Sequence, residues 1–415
     1  MIPTVVERCI GIDIGKKFLV ACLMVGAAAE EPRVELRQFG TFTEDLVRLK
    51  AWITAEQCTH AVMESTGSFW KPVFNVLEDA VTVVLANPRE IKIRKGHKTD
   101  WKDSRWLAHL LRHGMVPASF IPERGIRELR DLTRRRKQLI HACTAEKNRV
   151  QKTLEDANVK LGSVLSDMFG VTGRAIIAAL LDGKLSATEM ARFAKRQAKR
   201  KIPEIIASLE GHRLTDVQRF LIRQSLGHLE FLQSAIKELE AETQARIESV
   251  EPYHKAVLLL QTIPGIREEA AAGILAEMGH RMEQFPSEKH LSSWVGLCPG
   301  NNKSAGLERS GHITKGNQWL QTLLIECAWA ASLKQGSLFC LKYRQLAPRI
   351  GGKRAVVAVG HAMVILIYQV LRNGKPYQQT AIEAALESKR RKSIQRHVKA
   401  LTKLGVLLKG IQYPE

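Results

Sequence analysis

The sequence predicts an α/β domain at its N-terminal end followed by a long, mainly helical remainder. Three observations carry that prediction. Short apolar runs of strand length alternate with helix-period segments over residues 8 to about 118, and beyond residue 123 the apolar residues recur at three- and four-residue spacings. Four carboxylates, Asp13, Glu64, Asp100 and Asp103, fall at the ends of the strands and helices of the first part.

The runs at residues 9–14 and 18–24 and the alternating stretch at 33–39 read as three strands, antiparallel because their connections are short. A helix pattern follows from Thr43, then a strand at 60–63, a helix after Phe69, a strand at 81–86 stopped by Asn87-Pro88, and a helix bearing Asp100 and Asp103. Three leading strands, then alternating helices and strands with acids at their ends, is the order of a ribonuclease H-like sheet. Glu64 ends an apolar run and is followed by Ser65-Thr66-Gly67, a strand-to-turn signal. Asp100 and Asp103, three apart, would project from one helix face, although Asp100 could equally serve as an N-cap.

Pro122 closes this unit. Apolar residues such as Ile126, Leu129, Leu132, Leu139, Ile140, Val150 and Leu154 then mark one long amphipathic helix. Leu226, Leu229, Leu232, Ile236 and Leu239 mark a second between residues 220 and 250. Together they predict an antiparallel coiled-coil arm with a basic segment at 160–205 between its helices, serving dimerisation, nucleic-acid binding or spacing. After Pro252, Thr262-Ile263-Pro264-Gly265-Ile266 and the helix pattern at 268–278 have the form of a helix-hairpin-helix, whose turn amides can approach a DNA phosphate, or of an ordinary helical corner. A Gly-rich polar loop spans 296–317, and helices are expected at 319–333 and 355–371. The last is the most apolar run, but it is shorter than a membrane span of about 20 residues and contains His361 and Gln369, so it reads as a buried helix. The expected division is 1–120, metal-binding domain; 121–255, helical coiled coil; 256–375, C-terminal domain; and 376–415, basic tail.

Charge points to a polyanionic partner. The 63 Lys and Arg outnumber 42 Asp and Glu, for a formal net charge of +21. The excess is clustered at 192–201, at Arg134-Arg135-Arg136-Lys137 and at 389–409, which favours nucleic acid over general solubility. Seven cysteines without C-x-x-C spacing read as reduced core thiols of a cytosolic protein, and the N-terminal residues lack the pattern of a signal peptide.

Acids spread over neighbouring strand ends suit Mg²⁺, or Mn²⁺ in its place, because such ions prefer hard oxygen ligands and leave positions open for phosphate and water. Two ions can activate the attacking oxygen and stabilise the leaving one. A phosphate-binding reading of Gly11-Ile12-Asp13-Ile14-Gly15 as in sugar kinases requires a second Gly-rich loop of Asp-x-Gly-Gly form, which the sequence lacks. Ser304 lies among glycines and cations, with His312 nearby; its spacing fits a turn serine in a phosphate-binding loop, and it would act as a nucleophile only if activated.

Gly11-Ile12-Asp13-Ile14-Gly15-Lys16, Met63-Glu64-Ser65-Thr66-Gly67, Lys98-Thr99-Asp100-Trp101-Lys102-Asp103-Ser104 and the stretch from Ile263-Pro264-Gly265-Ile266 to Ile313-Thr314-Lys315-Gly316-Asn317 resemble, in family order, the DEDD transposases of bacterial insertion sequences. The resemblance implies a RuvC-like domain whose Asp13, Glu64, Asp100 and Asp103 bind Mg²⁺, joined by a coiled coil to a transposase domain in which Ser304 attacks DNA as a catalytic nucleophile. It further implies DNA as substrate, a structured guide RNA from the element, a homo-oligomer that forms a dimer and then a tetramer on DNA, and a cytoplasmic, nucleoid-associated bacterial protein without membrane attachment. Ser304 is followed by Ala305-Gly306 where the family commonly has two glycines, and Ser310 lies close by. The alternative is a RuvC-like, Mg-dependent DNA junction nuclease in which water attacks.

Overall fold

The computed structural model describes residues 5–28, 30–65, 67–88, 91, 99–298, 303–304, 307–308, 313, 315–378, 391, 394–395 and 398. The basic tail expected at 376–415 lies almost wholly outside the described residues. Contacts divide the chain into two compact units, Met1–Ile121 and Pro122–Glu415.

The first unit runs β1 (Arg8–Ile14), β2 (Phe18–Val25), β3 (Arg33–Gly40), α1 (Thr43–Ala55), β4 (His60–Glu64), α2 (Trp70–Leu77), β5 (Thr82–Ala86) and α3 (Asp100–Arg112). These strands form one sheet in the order β3-β2-β1-β4-β5, with β1 antiparallel to β2, β2 antiparallel to β3, and β4 parallel to both β1 and β5. This is the ribonuclease H-like arrangement that the element order predicts. The sheet is covered on both faces, which is why β1, β2 and β4 read as continuous apolar runs rather than alternating ones. One face packs Ile10, Ile12, Leu19, Ala61 and Met63 with Leu49 and Ile53 of α1 and Phe74 and Leu77 of α2. The other packs Cys9, Cys22 and Val62 with Leu107, Ala108 and Leu111 of α3.

Arg112, 2% exposed at the last turn of α3, ties the helix to the sheet by donating to the carbonyls of Glu7 (3.2 Å), Gly26 (3.1 Å) and Ala27 (2.9 Å). Arg112→Leu removes three hydrogen bonds, although the Glu7 and Ala27 carbonyls keep those from the Gly26 and Glu30 amides, and should lower unfolding free energy by about 2 kcal/mol in a urea titration. An unchanged denaturation midpoint would show that the three bonds contribute nothing net.

In the second unit α4 (Arg124–Asp156) leads through short α5 (Leu161–Val164), α6 (Val171–Asp182), α7 (Ala187–Ala191), a 3₁₀ turn (Arg196–Lys201) and α8 (Ile202–Leu209) to α9 (Asp216–Glu248). There follow α10 (Glu251–Gln261), α11 (Glu268–Met278), α12 (Glu288–Val295), the paired β6 (Lys303–Ser304) and β7 (Leu307–Glu308), α13 (Gln318–Leu333), α14 (Leu338–Ile350) and α15 (Gly352–Asn373). The two 33-residue helices α4 and α9 pack side by side and antiparallel, as Arg246 pairs with Glu128, Arg136 with Glu240 and His228 with Glu146. Leu139, Cys143, Leu229 and Leu232 form their seam, the coiled-coil-like arm expected from the apolar spacing. At its far end Val150, Leu154 and Ile222 join a separate core made by α5 to α8.

α15 is long and apolar enough by composition to cross a membrane, but its Val359, Met363, Val364 and Ile367 are buried and it packs on α10, α12, α13 and α14. It is the central helix of this part of the unit. The Pro-Gly turn between α10 and α11 also packs inward. A Cβ on Gly265, at φ +91°, would lie 2.5 Å from the Cys327 carbonyl of α13, and the amides of Ile263 and Ile266 already donate within the turn. Two of the turn's amides are thus used inside the corner itself.

Candidate active site

Asp13 is the next-to-last residue of β1 and Glu64 the last of β4. The final register pair of these parallel strands is Ile12 with Met63, so the two acids stand side by side one residue further on. Strand alternation sets their face. Asp13 shares the parity of Cys9, and Glu64 that of Val62, and both Cys9 and Val62 pack against α3.

α3 runs antiparallel to β1: its Ala108 carbonyl lies 3.6 Å from Cys9 Sγ, and Arg112 reaches Glu7, the residue just before the strand. Its opening turn, with Asp100 and Asp103, therefore lies toward the end where Asp13 and Glu64 stand. Gly11 permits the close approach, since a Cβ there would sit 2.3 Å from both the Ala108 amide nitrogen and the Ser104 carbonyl oxygen. Thr99 is the N-cap, its hydroxyl accepting from the Lys102 amide at 3.4 Å, so Asp100 is the first helical residue and remains exposed. Asp103 is 4% exposed, and Asp13 and Glu64 are half-buried.

The backbone thus gathers the four acids at one end and toward one face of the sheet. Their side chains are less closely gathered: among the described residues, no three Asp, Glu, His or Cys side chains form a metal-ligand group. In donor chemistry the four carboxylates suit a hard divalent cation. The neighbouring thiols do not compete, because burial pushes Cys9 up to about 12 and Cys22 up to about 11, leaving both neutral.

An aromatic rim escaped the sequence reading. Trp101, between the two α3 acids, is 43% exposed, and Phe18, Phe42 and Phe69, which lie at or just beyond the same end of the sheet, are 38%, 81% and 45% exposed. Isolated aromatics at strand and helix ends read as core residues in a sequence. Only Trp101, at i+1 from one acid and i−2 from the other, carried a signal, because a helix that buries Asp103 turns the residue two before it away from the core.

Ser304 lies at the end of β6, in register with Leu307 of β7. Residues 299–302, 305–306, 309–312 and 314, including His312, lie outside the described residues. The root of this loop is firmly built. The Asn317 amide donates to the Trp294 carbonyl (3.2 Å) and Gln321 Nε2 to the Gly296 carbonyl (2.7 Å). Asn317 Nδ2 also donates to Glu277 Oε2 (2.7 Å), a carboxylate 3% exposed that accepts two bonds from Arg134 (2.7 and 2.9 Å) and faces Arg130 (3.5 Å). Much of the basic block at 134–137 is spent in this way, since Arg136 pairs with Glu240 and Lys137 with Glu326.

A sheet in this order, with carboxylates at the ends of β1 and β4 and on the first turn of α3, defines a ribonuclease H-like protein carrying a large helical unit. Residues 10–159 match the DEDD transposase model of the IS110 type, described as a transposase, and residues 257–344 match the model described as transposase, IS116/IS110/IS902 family. The chain belongs to this family of insertion-sequence transposases, enzymes that act on DNA.

A probable family 20 transposase of Pseudomonas aeruginosa is 26% identical over 65% of this chain and 70% of its own length. An uncharacterized 43.6 kDa protein of insertion element IS110 from Streptomyces coelicolor is 25% identical over 47% of this chain and 49% of its own. A putative transposase of Sinorhizobium fredii is 25% identical over 56% and 47%. The matched region thus spans about half the length of the last two relatives.

The family description corrects one expectation. It is that of a DEDD transposase, named for its acids and pointing to chemistry of the metal-dependent nuclease type, so the serine-nucleophile scheme built on Ser304 is overturned.

Proposed function

We propose that the chain cuts DNA strands of its insertion sequence in the manner of a RuvC-like junction nuclease, with water as the nucleophile and Asp13, Glu64, Asp100 and Asp103 as the active carboxylates. The observation that carries this reading is the placement of Asp13 and Glu64 side by side at parallel strand ends, toward the helix whose first turn bears the other two acids. These four would hold Mg²⁺, or Mn²⁺ in its place, which when bound supplies Lewis-acid stabilisation of the charge developing on the phosphodiester. Asp103, nearly buried under the turn that Thr99 caps, has the least freedom and fixes the position of the set. Exposed Asp100 has room to orient the attacking water, and the face of Trp101 beside it offers a stacking surface for an unpaired base at the cut.

The same proposal divides the labour of the chain among a cutting domain at 1–120, an arm at 121–255, a helical domain at 256–375 and a basic tail at 376–415. It includes a structured RNA of the element and further copies of the chain as partners in the bacterial cytoplasm, a reading supported by the net charge of +21.

The test is cleavage of a labelled four-way junction and a linear duplex by the full chain with Mg²⁺ and with a chelator. Cutting is expected with Mg²⁺ only, with products free of protein. Cutting that survives chelation, or a protein–DNA adduct that survives denaturation, would defeat the metal-and-water reading.

A further inference from the structure

The module between α4 and α9 lies outside both family matches, which end at residue 159 and resume at 257. It is a well-formed structure. Ile176, Ile177, Leu180, Met190, Ala191, Ala194, Ile205 and Leu209 make its core. Across it runs a ribbon, Arg192-Phe193-Ala194-Lys195-Arg196-Gln197-Ala198-Lys199-Arg200-Lys201, in which the alanines turn inward and Lys195, Arg196, Lys199 and Arg200 are exposed. Thr172 Oγ1 of α6 accepts from the Lys195 amide at 3.0 Å, and Lys201 Nζ donates to the Val164 carbonyl at 2.8 Å, so the ribbon is pinned at both ends.

Two independent features separate this ribbon from an ordinary solvated face. Among the described residues Lys195, Arg196, Lys199 and Arg200 enter no ion pair, whereas three of the four cations at 134–137 do. Arg196 also holds φ at +52°, a left-handed conformation that a β-carbon disfavours and that glycine or asparagine takes at less cost. A strained residue with a free guanidinium in a pinned cationic ribbon marks a position kept for contact rather than for folding.

We propose that this ribbon, carried by the helical unit, is a second DNA-holding surface, which grips the phosphate backbone of a duplex through Lys195, Arg196, Lys199 and Arg200. The inference takes DNA as the partner from the family reading, but it does not depend on how the strands are cut. Charge complementarity and the lack of competing acids make the contact one of backbone positioning, without base preference.

The test uses the full chain without metal, a labelled random-sequence duplex, and fluorescence anisotropy over a range of salt concentrations. Changing all four cations to glutamine should make the slope of log affinity against log salt shallower by about 3.6, at about 0.9 for each phosphate no longer neutralised. An unchanged slope overturns the proposal. Arg196→Gly guards against a folding artefact: it should melt at the same temperature or higher than the parent and still bind the duplex more weakly, and undiminished binding counts against the strained arginine. An RNA duplex of the same sequence is titrated in parallel; a slope change confined to RNA overturns the DNA assignment. Asp13→Asn serves as the second arm, since loss of cutting with the salt slope kept intact separates the chemistry from the grip.

Discussion

Gly11→Ala is expected to destabilise the protein by about 3 kcal/mol and to take DNA cleavage with it, although the added group is a single uncharged methyl. Both contacts at 2.3 Å are with backbone, the Ala108 amide nitrogen and the Ser104 carbonyl oxygen, so no side chain can rotate away. Either β1 or α3 must shift. The cost belongs at the upper end of what overpacking exacts from a dense core. Cleavage should fall because α3 carries Asp100 and Asp103 on the turn preceding the contact, and displacing the helix moves them relative to Asp13 and Glu64. The measurement is a urea denaturation curve beside a junction-cleavage rate. A variant as stable as the parent would mean that α3 does not seat on β1 as described.

Asp13→Asn gives the opposite signature: cleavage should drop by about 10³-fold, equivalent to about 4 kcal/mol of lost transition-state stabilisation, with little change in unfolding free energy. The side chain keeps its size and, at the half-buried end of a strand, loses only its charge. Calorimetric titration with Mg²⁺ adds a readout that a merely structural role would not move, since the affinity should weaken in parallel. Cleavage within a fewfold of the parent would remove Asp13 from the chemistry and with it the proposed carboxylate set.

The sheet was legible because its signals are local. Strands at 9–14, 18–24, 33–39, 60–63 and 81–86 are apolar runs bounded by turn residues, and each appears within a residue or two of its expected ends. The seam of the arm was legible for the same reason, through a 3.6-residue period sustained over 33 residues. What was not legible depends on partners far along the chain. Gly11 looks like one half of a turn motif, and only the helix that crosses it nearly a hundred residues later shows it as a contact point. Glu277 is an ordinary acid in an alanine-rich helix until Arg130, Arg134 and Asn317 close around it. The basic blocks could not be ranked from composition, because ion pairing distinguishes 134–137 from 192–201 and pairing is a property of the fold. Asp100 and Thr99 were a matter of one residue, which is the ordinary uncertainty of a helix boundary.

The buried Glu277 also bears on how this protein can be taken apart. Its cations come from the arm, and its third neighbour, Asn317, forms the root of the loop that ends in α13, so one carboxylate belongs to three segments of the second unit at once. A fragment holding only the arm would leave Arg130 and Arg134 without their shared anion and bare the apolar side of α4. A fragment lacking the arm would take away both cations that Glu277 pairs with and leave its carboxylate with Asn317 alone. The second unit is therefore modular in its sequence but indivisible in its thermodynamics, and a truncation meant to isolate either part is best drawn before Pro122, where the contacts themselves divide.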